Sequence, residues 1–416
     1  MGYLWMMAWR NLFRNQRRSL LAVISVTLSI LLISFMQGLV GGVMDSMVRN
    51  YTRNETGHIR IATPEFEQRV RFMPVDHLLQ TPQTIRTLIQ QDPLLSAQVE
   101  TMAERITFGT LLTHEGQQKA AMGLAGDPAV EKELLMLARA IQPGGRYLAG
   151  ERELVMGQKL ADALHFKVGE TVPVMARGSD DALHLRKFKL VGVFQTGLGA
   201  LDERIFQLGL ADARALLRAG EGTQQLILML KDHRQADVLA AHLKDRMQAD
   251  PVLQTLSVLP WTQVGETYQL TQMASKLYGW IYAIIALLGA IIIANIMMMV
   301  VLERRREIGI LRALGFSGRE VLMLFTIEGA VLGLVGSLTG ATLGFLINLY
   351  LSTHGIDFSK ATAANTVPID SRIFSTVSGA DWGMAVLIGT SVATVIALLP
   401  SRRAAKMGIV EAIKSV

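Results

Sequence analysis

The sequence predicts an α-helical membrane protein with four transmembrane helices. It also predicts a large α+β extracytoplasmic domain, in two subdomains, inserted between the first and second spans. Three observations predict this. Four apolar runs, at about 20–44, 277–302, 321–351 and 382–399, meet or approach the ~20 residues that cross a ~30 Å hydrocarbon core. Basic residues gather at the ends of those runs. The long segment between the first two runs is nearly charge-balanced and alternates strand and helix patterns.

The charge distribution orients the chain. Segment 45–275 holds 25 Lys/Arg and 27 Asp/Glu, and the rest holds 16 and 8, so the overall +6 is a membrane-flanking excess. That pattern argues against nucleic acid as a partner. The excess sits at Arg10, Arg14, Arg17 and Arg18, then in the 303–320 loop, then at Arg402, Arg403 and Lys406. The positive-inside rule therefore puts both termini and that loop in the cytoplasm, and the 45–276 domain and the 352–381 loop outside. No cysteine is present, which excludes disulfides and thiolate metal sites.

Taken in order, residues 1–19 read as an amphipathic helix, with Trp5, Trp9 and Leu12 on one side and arginines on the other. Such a helix lies along a leaflet surface. The first apolar run is longer than a signal-peptide core and has no A-x-A site after it, so it is expected to stay as a span. Residues 45–54 and 261–276 read as stalk helices. Between them, strands are expected at 57–62, 104–113, 118–124, 154–156, 170–176, 187–194, 204–208, 225–230 and 255–259. Helices are expected at 82–91, 158–164, 211–219 and 235–248. A segment of this size suits two subdomains, with the break near 128–150 and a return to the first after about Gly220.

The second span carries Ala286, Ala290 and Ala294 at four-residue spacing. The third carries Gly329 and Gly333, then Gly336, Gly340 and Gly344. Small residues on this spacing clear one helix face for a neighbouring backbone. Glu328 falls two turns into the third run and is expected in the headgroup zone near Arg319, in a structural or interfacial role.

No enzyme signature appears. There is no G-x-x-x-x-G-K-[ST] loop, no G-x-S-x-G and no H-E-x-x-H, and the eight histidines lack ligand spacing. The 21 methionines, including Met297–Met299, read as apolar packing rather than a soft-metal site. Catalytic residues, bound cofactors and metals are accordingly not expected in this chain.

Glu303–Glu320 (ERRREIGILRALGFSGRE) is the most informative stretch. Five arginines are threaded with Ile308, Leu311 and Leu314 at helical spacing, between two spans. Gly309, Ala313 and Gly315 keep one side of such a helix low, and the three apolar residues are expected to supply contact to a docked partner. Arg304, Arg305 and Arg306, with Arg10, Arg14, Arg17, Arg18, Arg402 and Arg403, are expected to anchor the chain to anionic lipid.

Glu307-x-Gly309-x-x-x-Ala313-x-Gly315, Ile327-Glu328-Gly329…Gly333…Gly336…Gly340 and Pro400–Ile413 (PSRRAAKMGIVEAI) together resemble the ABC-transporter permeases of the macrolide-exporter, lipoprotein-release and FtsX-like group. One departure is Ile409, where that group usually has proline. The resemblance implies that 303–320 holds a coupling helix, with Glu307 to Gly315 resting in a groove of a separate ATPase. Two ATPase copies would carry the ATP and Mg. It also implies a second permease chain, identical or different. Motion would pass to the outward domain in the bacterial inner membrane, a process called mechanotransmission. The cargo implied is a lipoprotein or a related lipophilic or peptide molecule, with a periplasmic carrier or outer-membrane partner. The position of the carrier-recruiting hook, Gly178–Lys187, is charged and lacks proline, which leaves a different carrier or cargo open. The alternative function is FtsX-like regulation of a periplasmic partner such as a cell-wall hydrolase.

Overall fold

The computed structural model describes residues 16–197, 199–265, 267–358 and 372–406. In chain order the elements are α1 (Gln16–Tyr51), β1 (Ile59–Ala62), α2 (Pro64–Arg69), α3 (Pro82–Gln91), α4 (Pro93–Gln98), β2 (Val99–His114), β3 (Gln117–Gly126) and α5 (Pro128–Leu134). There follow β4 (Glu153–Gly157), α6 (Gln158–Leu164), β5 (Thr171–Arg177), β6 (Leu183–Phe194), α7 (Gly199–Arg204), β7 (Ile205–Gly209), α8 (Leu210–Leu217), β8 (Gln225–Leu230), α9 (Ala236–Met247) and β9 (Ser257–Pro260). The chain then forms α10 (Thr267–Glu303), α11 (Arg305–Ala313), α12 (Gly318–His354) and α13 (Gly379–Ala405). The fold divides into two units, one built on the long helices and one on residues 45–271.

In the helical unit α1, α10, α12 and α13 are each long and apolar enough to cross a membrane. Five of the six glycines of α12 serve two different neighbours. Gly329 and Gly333 abut Ala397 and Ala393 of α13. Gly336, Gly340 and Gly344 lie against α1, where added β-carbons would stand 2.6 Å from Val26 Cβ, 2.5 Å from the Thr27 carbonyl and 2.7 Å from Ser34 Cβ. The three-residue step from Gly333 to Gly336 turns the bare stripe from one partner toward the other. Polar side chains fasten the α1–α12 contact. The Thr27 and Thr339 hydroxyls are 2.8 Å apart, and Asn348 Nδ2 donates to the Ser34 carbonyl at 2.8 Å while Ser375 donates to its Oδ1. In α10, Ala290 is buried, Ala294 is half-buried and Ala286 lines an apolar cavity shared with α1 and α13.

The other unit is one nine-stranded sheet in the order β5-β6-β4-β7-β3-β2-β8-β1-β9. All pairs are antiparallel except β3–β7 and β4–β6. It forms two lobes. In the first, Leu226, Leu228 and Leu230 of β8 point into a core made with α3 and α9. The alternate Ile227 and Met229 pack with Ala103 and Leu134 on the other face. Covered on both faces, β8 is buried at all six positions and reads as an unbroken apolar run after Gln225. The second lobe packs Phe108, Leu154, Phe188 and Phe206 against α6 and α8.

The lobes part within β2, not near 128–150 as the sequence suggested. Val99–Arg105 pairs with β8, and Ile106–His114 pairs with β3. A 16-residue strand has no break for composition to reveal; its partner changes while its own backbone continues. Gln224 stitches the handover. Its Oε1 accepts from Thr107 N at 2.6 Å, and its Nε2 donates to the Pro74 and Thr107 carbonyls. Glu104 adds ion pairs to Arg86 of α3 and Arg214 of α8, one in each lobe. Fully buried Arg105 and Glu131 form a two-point ion pair at 2.7 and 2.8 Å.

Candidate functional site

The candidate site is α11 with its two junctions. The long helix α10 ends at Glu303 because Arg304 leaves helical geometry (φ −91°, ψ 15°) and serves as the N-cap of α11. Glu307 lies in the first turn and Arg312 in the last, both with the sign the helix dipole favours. After Leu314 the chain turns at Gly315, whose φ of +99° is left-handed and suits glycine. Ser317 then opens α12 with a capping box: its side chain accepts from Glu320 N, and Glu320 accepts from Ser317 N at 2.8 Å.

The two faces of α11 differ. Inward, Ile308 is 1% exposed and packs with Val300 and Val301 of α10, Val321 and Phe325 of α12, and Ala404 of α13. Leu311 packs half-buried with Leu324, Phe316 and Ile327, and Gly309 is buried. Arg312 Nη1 donates to the Ala405 carbonyl at 2.7 Å, holding the C-terminal end of α13. Outward, Arg305, Arg306, Glu307, Ala313 and Gly315 are exposed, and so are Ile310 (48%) and Leu314 (75%).

This corrects the expected docking stripe. Ile308 and Leu311 face the bundle, so of the three apolar residues only Leu314 is presented outward. Ile310, unremarked in the sequence, joins it one turn away. The reason is geometric. A nine-residue helix between two long ones must close over their ends, so its best apolar face is consumed by its own chain. Gly309 is likewise on the closed side, while Ala313 and Gly315 are on the open one.

Arg304 is corrected too. Its side chain is 6% exposed and pairs with Glu328 (4%), Nη1 to Oε2 at 3.5 Å. It is therefore an internal partner rather than a lipid anchor. Glu328 pairs with Arg304, not with Arg319, which is exposed. Neutralisation inside the bundle is what makes a carboxylate tolerable there. Arg17, Arg305, Arg306, Arg402 and Arg403 are exposed; Arg10 and Arg14, and the side chain of Arg18, lie outside the described residues. Among the described residues no cluster of His, Asp and Glu could hold a metal ion.

Comparison with known proteins covers most of the chain with two family models. Residues 19–246 match the MacB-like periplasmic core domain, and residues 279–409 match the FtsX-like permease C-terminal region. The chain is 26% identical to the lipoprotein-releasing system transmembrane protein LolC of Neisseria meningitidis serogroup B, over 75% of this chain and 77% of that one. It is 24% identical to an uncharacterized ABC transporter permease of Methanocaldococcus jannaschii over 82% of each. It is 33% identical to the macrolide export ATP-binding/permease protein MacB of Vibrio parahaemolyticus, over 34% of this chain and 20% of that one. The crystal structure of the periplasmic region of MacB from Actinobacillus actinomycetemcomitans aligns with 52% of this chain and 92% of its own, at 10% identity and a TM-score of 0.36. With its core-domain match spanning more than half its length, the chain belongs to the ABC-transporter permeases of the MacB, LolC and FtsX type, a family that is not itself catalytic.

Proposed function

We propose that this chain is the membrane subunit of an ABC transporter, driven by a separate ATPase that docks on the outer face of α11. One observation carries the proposal: Ile310 and Leu314 stand exposed beside Ala313 and Gly315, on a helix whose opposite face is locked to three long helices. An exposed apolar pair on so short and well-backed a helix suits a partner's groove. Arg305, Arg306, Arg402 and Arg403 lie exposed near the same ends and suit an anionic leaflet. In this reading α11 and both termini are cytoplasmic, the sheet unit is periplasmic, and the membrane is the bacterial inner membrane. Two permease chains pair over two ATPases, and nucleotide-driven closure is passed through the helices to the periplasmic domain. The relation to LolC favours release of a lipoprotein or a related lipophilic cargo.

The test is co-purification with a co-expressed ABC ATPase. Leu314→Arg should leave the permease inserted and folded but reduce ATPase recovery by more than about tenfold, since it buries an unpaired charge in the contact. Undiminished recovery would remove α11 as the docking site. In nanodiscs the assembled complex should hydrolyse ATP faster when lipoprotein is added. Indifference to any cargo, with a cell-wall hydrolase bound to the periplasmic domain, would replace transport by FtsX-like regulation.

A further inference from the structure

The sheet unit holds a site that the docking of α11 does not involve. Between its lobes lies a cavity of about 280 Å³, walled by Phe66, Met73, Met122, Leu124, Leu137 and Ile205. Glu55, Arg60, Val70 and Arg71 form its mouth and also border a wider cleft of about 500 Å³ that reaches Tyr51 and Gly265. An apolar chamber and a wider cleft thus meet at the same charged group of side chains.

The polar groups narrow what could enter. Arg60 is already engaged by Glu67, through Nε at 2.8 Å and Nη2 at 2.5 Å. With the Arg60–Glu67 pair, the formal charges of Glu55 and Arg71 leave the lining of the mouth neutral in sum. On the inner wall, Thr107 spends its N–H and hydroxyl on Gln224. Gln225 does not have that outlet. It sits opposite Arg105 in the β2–β8 ladder, is 4% exposed, and its Oε1 has no hydrogen-bond partner among the described residues. A buried carbonyl without a donor is disfavoured until one reaches it. By turning about its last torsion, Gln225 can offer both an acceptor and an N–H donor to the contents of the cavity. A small, largely apolar chamber with a few polar groups, here the amides of Gln225 and Asn54, is the usual make-up of a small-molecule site.

We propose that this cavity binds a single acyl or alkyl chain with a neutral amide head. The tail lies against the methionines and leucines, where Met73 and Met122 adapt to its shape. The amide N–H donates to Gln225 Oε1, the buried acceptor that otherwise has no donor. An ester lacks the donor, and a free carboxylate brings a charge the mouth does not balance. The source is either an N-acylated peptide end or a free lipid amide.

The test uses the full chain in nanodiscs and N-dodecanoyl glycinamide carrying a diazirine at the chain end. Mapping by mass spectrometry should give saturable labelling of peptides containing Met73, Met122 or Leu137. The matching ester should label about fivefold less, the loss expected for one buried neutral hydrogen bond. Gln225→Leu should erase the difference between amide and ester, and Leu137→Trp should block both. Competition by an N-dodecanoyl tripeptide would make an acylated peptide the source, and competition by the simple amide alone would make it a lipid; each supports the site. Labelling confined to α1, α10, α12 and α13, or equal labelling by amide and ester in the unaltered protein, overturns it without reliance on any variant's folding.

Discussion

The helical unit is held by atoms left out, and the sheet unit by side chains put in. Along α12, close approach to α1 and α13 is possible because five positions carry no β-carbon. In the sheet unit the same tightness comes from phenylalanines and leucines, pinned by buried ion pairs such as Arg105–Glu131. The difference follows from the solvent each is built for. In lipid no hydrophobic force separates helix from tail, so packing must come from fit and from hydroxyl and amide contacts. In water, apolar burial supplies the drive, and charges can be buried once they are paired.

The comparison can be broken at four points. The largest effect should come from Arg105→Met, which strands Glu131 in a site with no exposure. A loss of about 3–5 kcal/mol is expected in thermal or denaturant unfolding of the sheet unit, and Arg105→Met with Glu131→Leu should recover much of it. A single variant within about 1 kcal/mol of the parent would mean that the pair holds little.

Next, Gly336→Leu with Gly340→Leu should part α1 from α12, at about 1–3 kcal/mol for each side chain forced in. The absence of cysteine gives a clean readout: Thr27→Cys and Thr339→Cys should crosslink in the parent and fail to do so in the leucine variant. Gly329→Leu should leave that crosslink intact while disturbing α13. Unchanged crosslinking and melting in detergent would sink the two-partner reading of the glycines.

Third is pH. Burial, and then the neighbouring His233, push His58 down to about 4, while its Nδ1 accepts from Leu230 N at 2.8 Å. The unfolded chain takes up this proton near pH 6.5 and the folded one near 4. Stability therefore falls as pH drops through that window, by up to roughly 3 kcal/mol. His58→Asn, which keeps an acceptor near Nδ1 but cannot titrate, should flatten this part of the profile; an unaltered slope would assign it elsewhere. The smallest effect is Ser317→Ala, which removes the capping-box acceptor at the head of α12. It should cost about 1 kcal/mol, read as faster amide exchange in the first turn alone.

Much of the fold could be read from residue patterns because those patterns answer to local rules. The nine strands follow alternation or unbroken apolar runs, and the four long helices follow span length. What could not be read depends on partners distant in sequence. The lobe boundary inside β2 is invisible because Val99–His114 is one strand whichever neighbour it has. Short helices escaped for lack of a full period: α4 hangs on its Asp92 cap and Pro93, and α5 on Asp127 and Pro128. At α11, spacing revealed an amphipathic helix but not which way it faced. Ile308 and Leu311 were natural choices for an external contact, yet Val301, Phe325 and Ala404 claim that side. Glu328 was likewise given a neighbour in sequence, Arg319, when its partner is Arg304, 24 residues away.

The handover in β2 also bears on how such a domain could change. The chain enters the second lobe at Ile106 and returns at Thr223, whose hydroxyl donates to the Arg105 carbonyl at 3.0 Å. Exit and re-entry are thus neighbours, tied at the base of the insert by Thr223 and Gln224, while α5 within the insert reaches back to give the first lobe Glu131 and Leu134. Closing a longer or shorter insert alters the entropy of the chain only slowly with its length. The far ends of the insert can therefore change in length while the first lobe stays fixed, provided that α5 keeps Glu131 on Arg105 and Leu134 against Ile227.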